Sequence, residues 1–369
     1  MATQGLVRTD FSDLIIMALD AFPKDKGYEY LFDATVHSFE LGNRLFKTHK
    51  VQEDGGTQIS RFVNYRESGT AQFVLPTQVY QPGMVNTMAQ ITIPWAFAHG
   101  EWSVVRFEVQ SCRGEEQLVD IVKQRQVAGE VDLALLVETA LWQTYDSTDA
   151  TSPLGITYWI GPYATGQTQA GAFQSTGGYD AGAAAMLTTT GGLSSSTYTR
   201  WKNWTFDWNN STGEWDETSR QRLGRMYRNL RFEAPILATD LKQPRYDKLR
   251  LYGGQTLIEM AEKKAIQQND QVGADLGAYQ GATLYRGLPI VWQSQLDTAD
   301  TSARGTNPIY LVNFDYLYPI VRSGAFFTRQ TFPAPQYQPD VVTTHVDASY
   351  NIICTNRQLV GGMGCYIGS

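Results

Sequence analysis

A chain of 369 residues with 42% hydrophobic content has room for one large domain or two to three ordinary ones, and enough apolar side chain to fill real cores, which excludes a disordered protein. Its formal net charge of −7 excludes a surface that wraps nucleic acid throughout, because displacing phosphate counterions needs a strong excess of Lys and Arg. The three cysteines, Cys112, Cys354 and Cys365, are odd in number and widely spaced, a pattern that fits buried, reduced thiols in a cytosol better than a disulfide framework.

Met1 to Asp13 places Asp10 and Asp13 beside its few apolar residues and lacks the layout of a signal peptide. No uninterrupted apolar run approaches the roughly 20 residues that cross a bilayer, so a cytoplasmic protein without membrane contact is expected. Residues 1–50 mix short apolar clusters, Phe11 to Leu19 and Leu41 to Phe46, with charge. They contain no self-standing domain and read as an arm that must lie on another surface. From Val51 to Gln110 the texture is β: Thr57, Ile59, Phe62 and Val63 precede a polar break at Arg66 to Gly69, and apolar runs resume at Ala89 to Pro94 and Trp102 to Val109. With Pro82-Gly83 as a turn dipeptide at the tip, a long hairpin is expected.

Glu115 to Tyr145 runs without proline and with one interior glycine, Gly129, which predicts a helix roughly 45 Å long or two helices split at Gly129. Ile121, Ala128, Val131, Leu135 and Trp142 fall on one helical face, and Leu118, Val122, Leu133, Leu136 and Leu141 make a second apolar side. Between Gly161 and Thr199 the only charged side chain is Asp180, so a long loop or domain tip is expected. Trp201, Trp204, Phe206, Trp208 and Trp215 then mark short aromatic strands. A helix is expected after Asp216 as N-cap, with Leu223, Met226, Tyr227 and Leu230 as its core stripe. Another follows Gly253-Gly254, where Thr256 and Glu259 have capping-box spacing. Short β runs return at Leu288 to Trp292, Ile309 to Val312 and Val341 to Cys354.

Little in the chain spells out chemistry. His37, His49, His99 and His345 are scattered, none with a second His or Cys at metal-ligand spacing, so no metal site is expected. No nucleophile elbow, catalytic triad or phosphate loop is recognisable, and no catalytic or cofactor-binding residue is predicted. Asn203-Trp-Thr205 and Asn210-Ser-Thr212 match a glycosylation pattern that reads as accidental here. The basic cluster Arg220, Arg222, Arg225, Arg228 and Arg231 sits on the helix whose apolar stripe faces the core, leaving a basic face outward. A solvated face, a subunit interface and a nucleic-acid contact all suit such guanidinium groups.

The order of segments, together with Gly287-Leu-Pro-Ile-Val291 and Asn307-Pro-Ile-Tyr-Leu-Val-Asn-Phe-Asp315, resembles the Hong Kong ninety-seven type of tailed-phage major capsid protein. The resemblance implies an α+β fold with an N-terminal arm (1–50), an extended β-hairpin loop (51–110), a peripheral domain with a long spine helix (111–151), an axial domain (152–325) and returning strands of the peripheral domain (326–369). It also implies a structural subunit without enzymatic activity, assembling in the host bacterial cytoplasm into hexamers and pentamers of an icosahedral virion head around double-stranded DNA. Inter-subunit contacts are expected at Phe62, Phe73, Val79 and Tyr80, which pack either on a neighbour or within the subunit, and at Arg220, Arg222, Arg225 and Arg228. No lysine occurs between Lys50 and Lys123, so the family's lysine–asparagine cross-link is not expected, and shell strength is expected from noncovalent contacts or a separate cement protein. A separate scaffolding protein is expected because no long helical extension precedes the arm. A phage tail or ring-forming protein remains an alternative, as does a carbohydrate-binding β-rich module suggested by 9 Trp and 20 Tyr.

Overall fold

The computed structural model describes residues 40–48, 50–65, 68–71, 73–75, 77, 83, 85–111, 115–143, 149, 151–161, 189–194, 197–198, 201–207, 215–230, 249–268, 284–297, 306–332 and 341–366. Most of the expected arm, the loop-tip residues Val79, Tyr80 and Pro82, most of the low-complexity segment, and His37, His49, Cys112, Trp208, Asn210 and Arg231 lie outside the described residues.

In chain order the elements are α1 (Glu40–Thr48), β1 (Val51–Glu53), β2 (Gln58–Asn64), β3 (Met88–Pro94), β4 (Ala96–Val105), α2 (Arg106–Ser111), α3 (Glu115–Trp142) and α4 (Ile156–Trp159). There follow β5 (Thr189–Thr190), β6 (Leu193–Ser194), β7 (Trp204–Asp207), α5 (Glu217–Asn229), β8 (Leu249–Gly253) and α6 (Gln255–Gln268). The last are β9 (Leu284–Tyr285), β10 (Leu288–Trp292), α7 (Ser294–Asp297), β11 (Thr306–Asn313), β12 (Leu317–Phe332), β13 (Val341–Cys354) and β14 (Gly361–Tyr366). The result is a mixed α/β fold with a four-stranded sheet ordered β1-β12-β13-β4, a six-stranded sheet ordered β7-β14-β11-β8-β10-β9, and the two-stranded pairs β2-β3 and β5-β6.

The long helix links the two large sheets. Its middle crosses β4 where small residues allow close approach: a Cβ on Gly129 would stand 3.2 Å from Trp102 Cδ1, and one on Gly100 3.4 Å from Leu133 Cβ. Gly129 therefore does not divide the helix; it makes room for the indole of Trp102. At the other end of α3, Trp142 meets Tyr252 of β8 and Tyr310 of β11 edge-on, with centroids 5.4 and 5.5 Å apart.

The buried face of α3 carries Val122, Val127, Leu133, Val137, Ala140, Leu141 and Trp142. The face expected from spacing is corrected, since Ala128 is exposed and Val131 and Leu135 are only half-buried. Apolar residues occur nearly all round this helix, so period alone does not pick the side that meets the sheet.

Local signals fare better at α5, where Asp216 accepts a hydrogen bond from the Ser219 backbone N–H at 2.8 Å and Leu223, Met226 and Leu230 are fully buried. The expected capping box of α6 is replaced by a distant cap: Asp297 Oδ1 accepts from the Gln255 N–H at 2.6 Å. The chain changes sheet between Asn313 and Leu317, and β14 returns to the six-stranded sheet between β7 and β11. Among the described residues from Phe326 on, β12 and β13 lie in the four-stranded sheet and β14 in the six-stranded one. Among the described residues no helix is long and apolar enough to cross a membrane.

Candidate functional site

β2 and β3 pair antiparallel from Gln58↔Pro94 to Asn64↔Met88, and the period of two sorts their side chains onto opposite faces. Ile59, Val63, Ala89, Ile91 and Ile93 enter the main core with Tyr158, Trp159 and Leu193. This root is tied down by the Thr92 N–H, which donates to the Gly191 carbonyl at 3.1 Å. Gly191 has φ 59°, and a Cβ there would stand 2.5 Å from Ile91 Cγ2, so the turn between β5 and β6 requires glycine.

The other face is largely exposed. Phe62 is 72% exposed, and beyond β2 the consecutive residues Phe73, Val74 and Leu75 are exposed, Phe73 completely. Met88 and Val85 on the returning side are exposed as well. Exposed apolar residues scattered singly are ordinary on a protein surface, whereas Phe73, Val74 and Leu75 are consecutive. By contrast, the described part of the arm covers itself: Leu41 and Leu45 are fully buried, and Phe46 stacks on Phe326 at 5.4 Å and meets the edge of Tyr350 at 5.3 Å. The expectation that this segment needs a foreign surface is corrected for residues 40–48, because Leu41 and Leu45, one helical turn apart, face the subunit's own core.

The arginine helix is only partly as expected. Arg220, Arg225 and Arg228 are exposed, but Arg222 is 3% exposed and does not belong to the outward basic face. It lies between Ser219 and Met226 at helical spacing, on the side that α5 turns to the core. The patch gains Arg286 instead, whose guanidinium carbon lies 5.8 Å from the Tyr227 ring centroid and 5.7 Å from that of Tyr285. Tyr285 donates its hydroxyl proton to the Arg220 carbonyl at 2.9 Å. Arg286-Gly287 forms the two-residue turn of β9–β10, with φ 51° and 82°, values that suit the twist of a tight hairpin. Arg220 also pairs with Glu217 at 2.6 Å. Burial raises the Tyr285 hydroxyl pKa, while Arg286, Arg220 and Arg228 pull it down, which reflects how these cations converge.

Two buried polar joints tie distant segments of the body together. Glu138 of α3, 1% exposed, accepts from the Gly42 N–H at 2.7 Å, Gln293 Nε2 at 3.0 Å and Trp142 Nε1 at 3.3 Å. Burial pushes its carboxyl up to about 7, against the pull of those donors. Arg357, fully buried, donates to the Trp159 carbonyl at 3.0 Å, Thr190 Oγ1 at 2.8 Å and Asn203 Oδ1 at 3.2 Å. Asn203 is itself fully buried and donates to the Gly161 carbonyl at 2.9 Å, so the glycosylation pattern there is occupied by structure. Cys354 and Cys365 are free and buried, and burial pushes the Cys354 thiol up to about 12. Sequence reading missed Glu138, Arg286 and Arg357, whose partners include Gly42, Tyr227 and Trp159, each far along the chain.

The histidines call for one correction. His99 and His345, expected to be unrelated, face each other across β4 and β13, with His345 Nδ1 3.2 Å from His99 Nε2.

No family model matches the chain, and no curated protein matches it. Solved structures do. The chain is similar to a subunit of the Cyanophage A-1(L) capsid asymmetric unit, at TM-score 0.63 and 12% identity over 94% of this chain and 98% of that one. It is similar to a chain of the capsid of a native GTA particle, at TM-score 0.53 and 10% identity over 95% and 98%. The capsid of Cyanophage P-SCSP1u gives TM-score 0.52 and 11% identity over 95% and 94%. The chain shares its fold with phage capsid proteins.

Proposed function

We propose that this protein is the major capsid protein of a tailed bacterial virus: a structural subunit that tiles into hexamers and pentamers of an icosahedral head. The observation that carries the reading is the likeness to a capsid subunit over nearly the full length of both chains, because a shared single module would align over part of each. On this reading residues 1–50 are the arm, 51–110 the extended loop and 111–151 the segment of the spine helix. Residues 152–325 are the axial domain and 326–369 the returning strands, with the chain crossing between sheets just before Leu317.

The exposed face of the hairpin then contributes by burial on a neighbour. Covering Phe62 and Phe73 stabilises a contact by roughly 1.5–3 kcal/mol for each side chain. The basic patch of Arg220, Arg225, Arg228 and Arg286 offers planar donors to carboxylates of an adjacent acidic subunit. Contacts of this heterologous kind generate rings when the rotation closes. Each contact can be weak, since a subunit held by several neighbours gains effective concentration once the first is made. Packaged double-stranded DNA, a cement protein and a scaffolding protein are the partners this reading supplies, and the virion is its location.

The test is the mass of the purified full-length protein, alone and after deletion of Tyr65 to Met88. Closed shells from the intact chain, with a folded but non-assembling deletion, are expected. Tubes or open rings would favour a tail or ring-forming protein, and a compact monomer at high concentration would remove the assembly reading altogether.

A further inference from the structure

We propose that the open face of the β4–β13 pair holds a divalent transition-metal ion of the zinc class, bound by His99 Nε2, His345 Nδ1 and Glu101 Oε2, with Asp347 as the residue that orients His99. The inference concerns the subunit itself and does not depend on the shell.

The register places these four residues together. In the antiparallel ladder His345 stands opposite Glu101, and Asp347 opposite His99. Within each strand the two residues are separated by one, so all four project from the same face. The opposite face, with Trp102, Val104, Val342 and Val346, is buried. The three ligand atoms make a compact triangle: 3.2 Å between the two imidazole nitrogens, 3.9 Å from His99 Nε2 to Glu101 Oε2, and 3.8 Å from His345 Nδ1 to the same oxygen. Zinc bonded at about 2.0–2.2 Å in a tetrahedron holds its ligands roughly 3.4 Å apart. The triangle is therefore within about half an ångström of a tetrahedral face, a gap that half-exposed side chains close by small rotations.

A second observation points to a cation. Asp347 Oδ1 lies 2.6 Å from His99 Nδ1. When that nitrogen carries the ring proton and donates it to the carboxylate, the lone pair is left on Nε2, the atom that faces the triangle. A carboxylate behind a ligating imidazole fixes its tautomer and raises its basicity. Among the described residues the ion pairs of Glu101 and Asp347 are with these histidines and with no lysine or arginine. The cluster thus combines two carboxylates with two imidazoles and no lysine or arginine, a composition that favours a divalent ion. Two imidazoles and one carboxylate suit zinc, cobalt or nickel better than magnesium or calcium, which take oxygen sets. Three protein ligands leave a position for water. A bound ion would clamp β4 to β13 just beyond the hairpin root.

The test uses untagged full-length protein, stripped with chelator and titrated calorimetrically with zinc chloride, then with cobalt chloride in an absorption spectrometer. One ion per chain is expected, with the visible bands of tetrahedral cobalt and no sulfur-to-cobalt charge-transfer band. His345→Gln is expected to abolish this uptake, and Asp347→Ala to weaken it roughly 10- to 100-fold. Both variants should keep the wild-type melting temperature in chelator, because the four side chains sit on a solvent face. Absence of stoichiometric uptake by the wild-type protein, undiminished uptake by His345→Gln, or a thiolate band that puts the ion on a cysteine would each overturn the proposal.

Discussion

Glu138 joins the arm helix, the long helix and Gln293 at one carboxylate, and Glu138→Gln tests the electrostatics of that joint. In the folded subunit burial holds the carboxyl near 7 against an ordinary value of 4.5, so the native state keeps a proton that the unfolded chain releases. With the folded value raised, this contribution to stability is fully present below about pH 4.5 and is lost as pH rises through about 7. Complete loss amounts to roughly 3 kcal/mol. The glutamine cannot titrate. It also presents an amide NH2 either to the Gly42 N–H or to the Trp142 and Gln293 donors, a mismatch that costs roughly 1–3 kcal/mol at every pH. In urea denaturation of the purified subunit from about pH 5 to about pH 8, wild-type stability should therefore fall relative to the variant by roughly 3 kcal/mol. Two parallel curves, separated by a constant offset, would refute the reasoning and mean that Glu138 is ionised throughout.

Phe62→Ser and Phe73→Ser should leave subunit stability within about 0.5 kcal/mol, since both rings are solvent-exposed. Each should raise the concentration needed for assembly by roughly tenfold or more, followed by light scattering. Arg357→Ala should destabilise the subunit by roughly 4 kcal/mol in the same urea assay, because it strands buried acceptors on three segments. Arg222→Glu should impair folding, as it puts a carboxylate in a buried position. Arg225→Glu with Arg228→Glu should leave the thermal melt unchanged while reducing assembly, and equal loss of both would place those arginines in the fold and not in a contact.

What could be read from the sequence were features whose cause lies within a turn or two of chain. The helical character of α3, the Asp216 cap, the Leu223, Met226 and Leu230 stripe, and the strands at Leu288–Trp292 and Val341–Cys354 all follow from propensity, capping and period. The exposed face at Phe62 belongs to the same class, since alternation along β2 separates it from Ile59 and Val63.

Where partners are distant in sequence, local pattern is silent. Asp297 caps α6 from 42 residues away, and Arg357 meets Trp159 across 198. Arg222 carries the same side-chain chemistry as Arg225, yet it shares the covered side of α5 with Ser219 and Met226 while Arg225 is exposed. The His99–Glu101 and His345–Asp347 pairs did leave a trace, two ligand-type residues one apart on each of two strands. Their meeting depends on strand register, which no single segment encodes.

By itself, then, the sequence determined the helical pattern of α3 and α5 and the later strands, because steric and solvation preferences act over a few residues; it did not reveal that Arg106–Ser111, inside the stretch read as β, turns into a helix. Only the tertiary structure decided which helix face is covered, which charge is buried and which histidines touch. Those outcomes minimise exposed apolar area and unpaired polar atoms over the whole chain at once, and that balance is struck between segments that are neighbours in space alone.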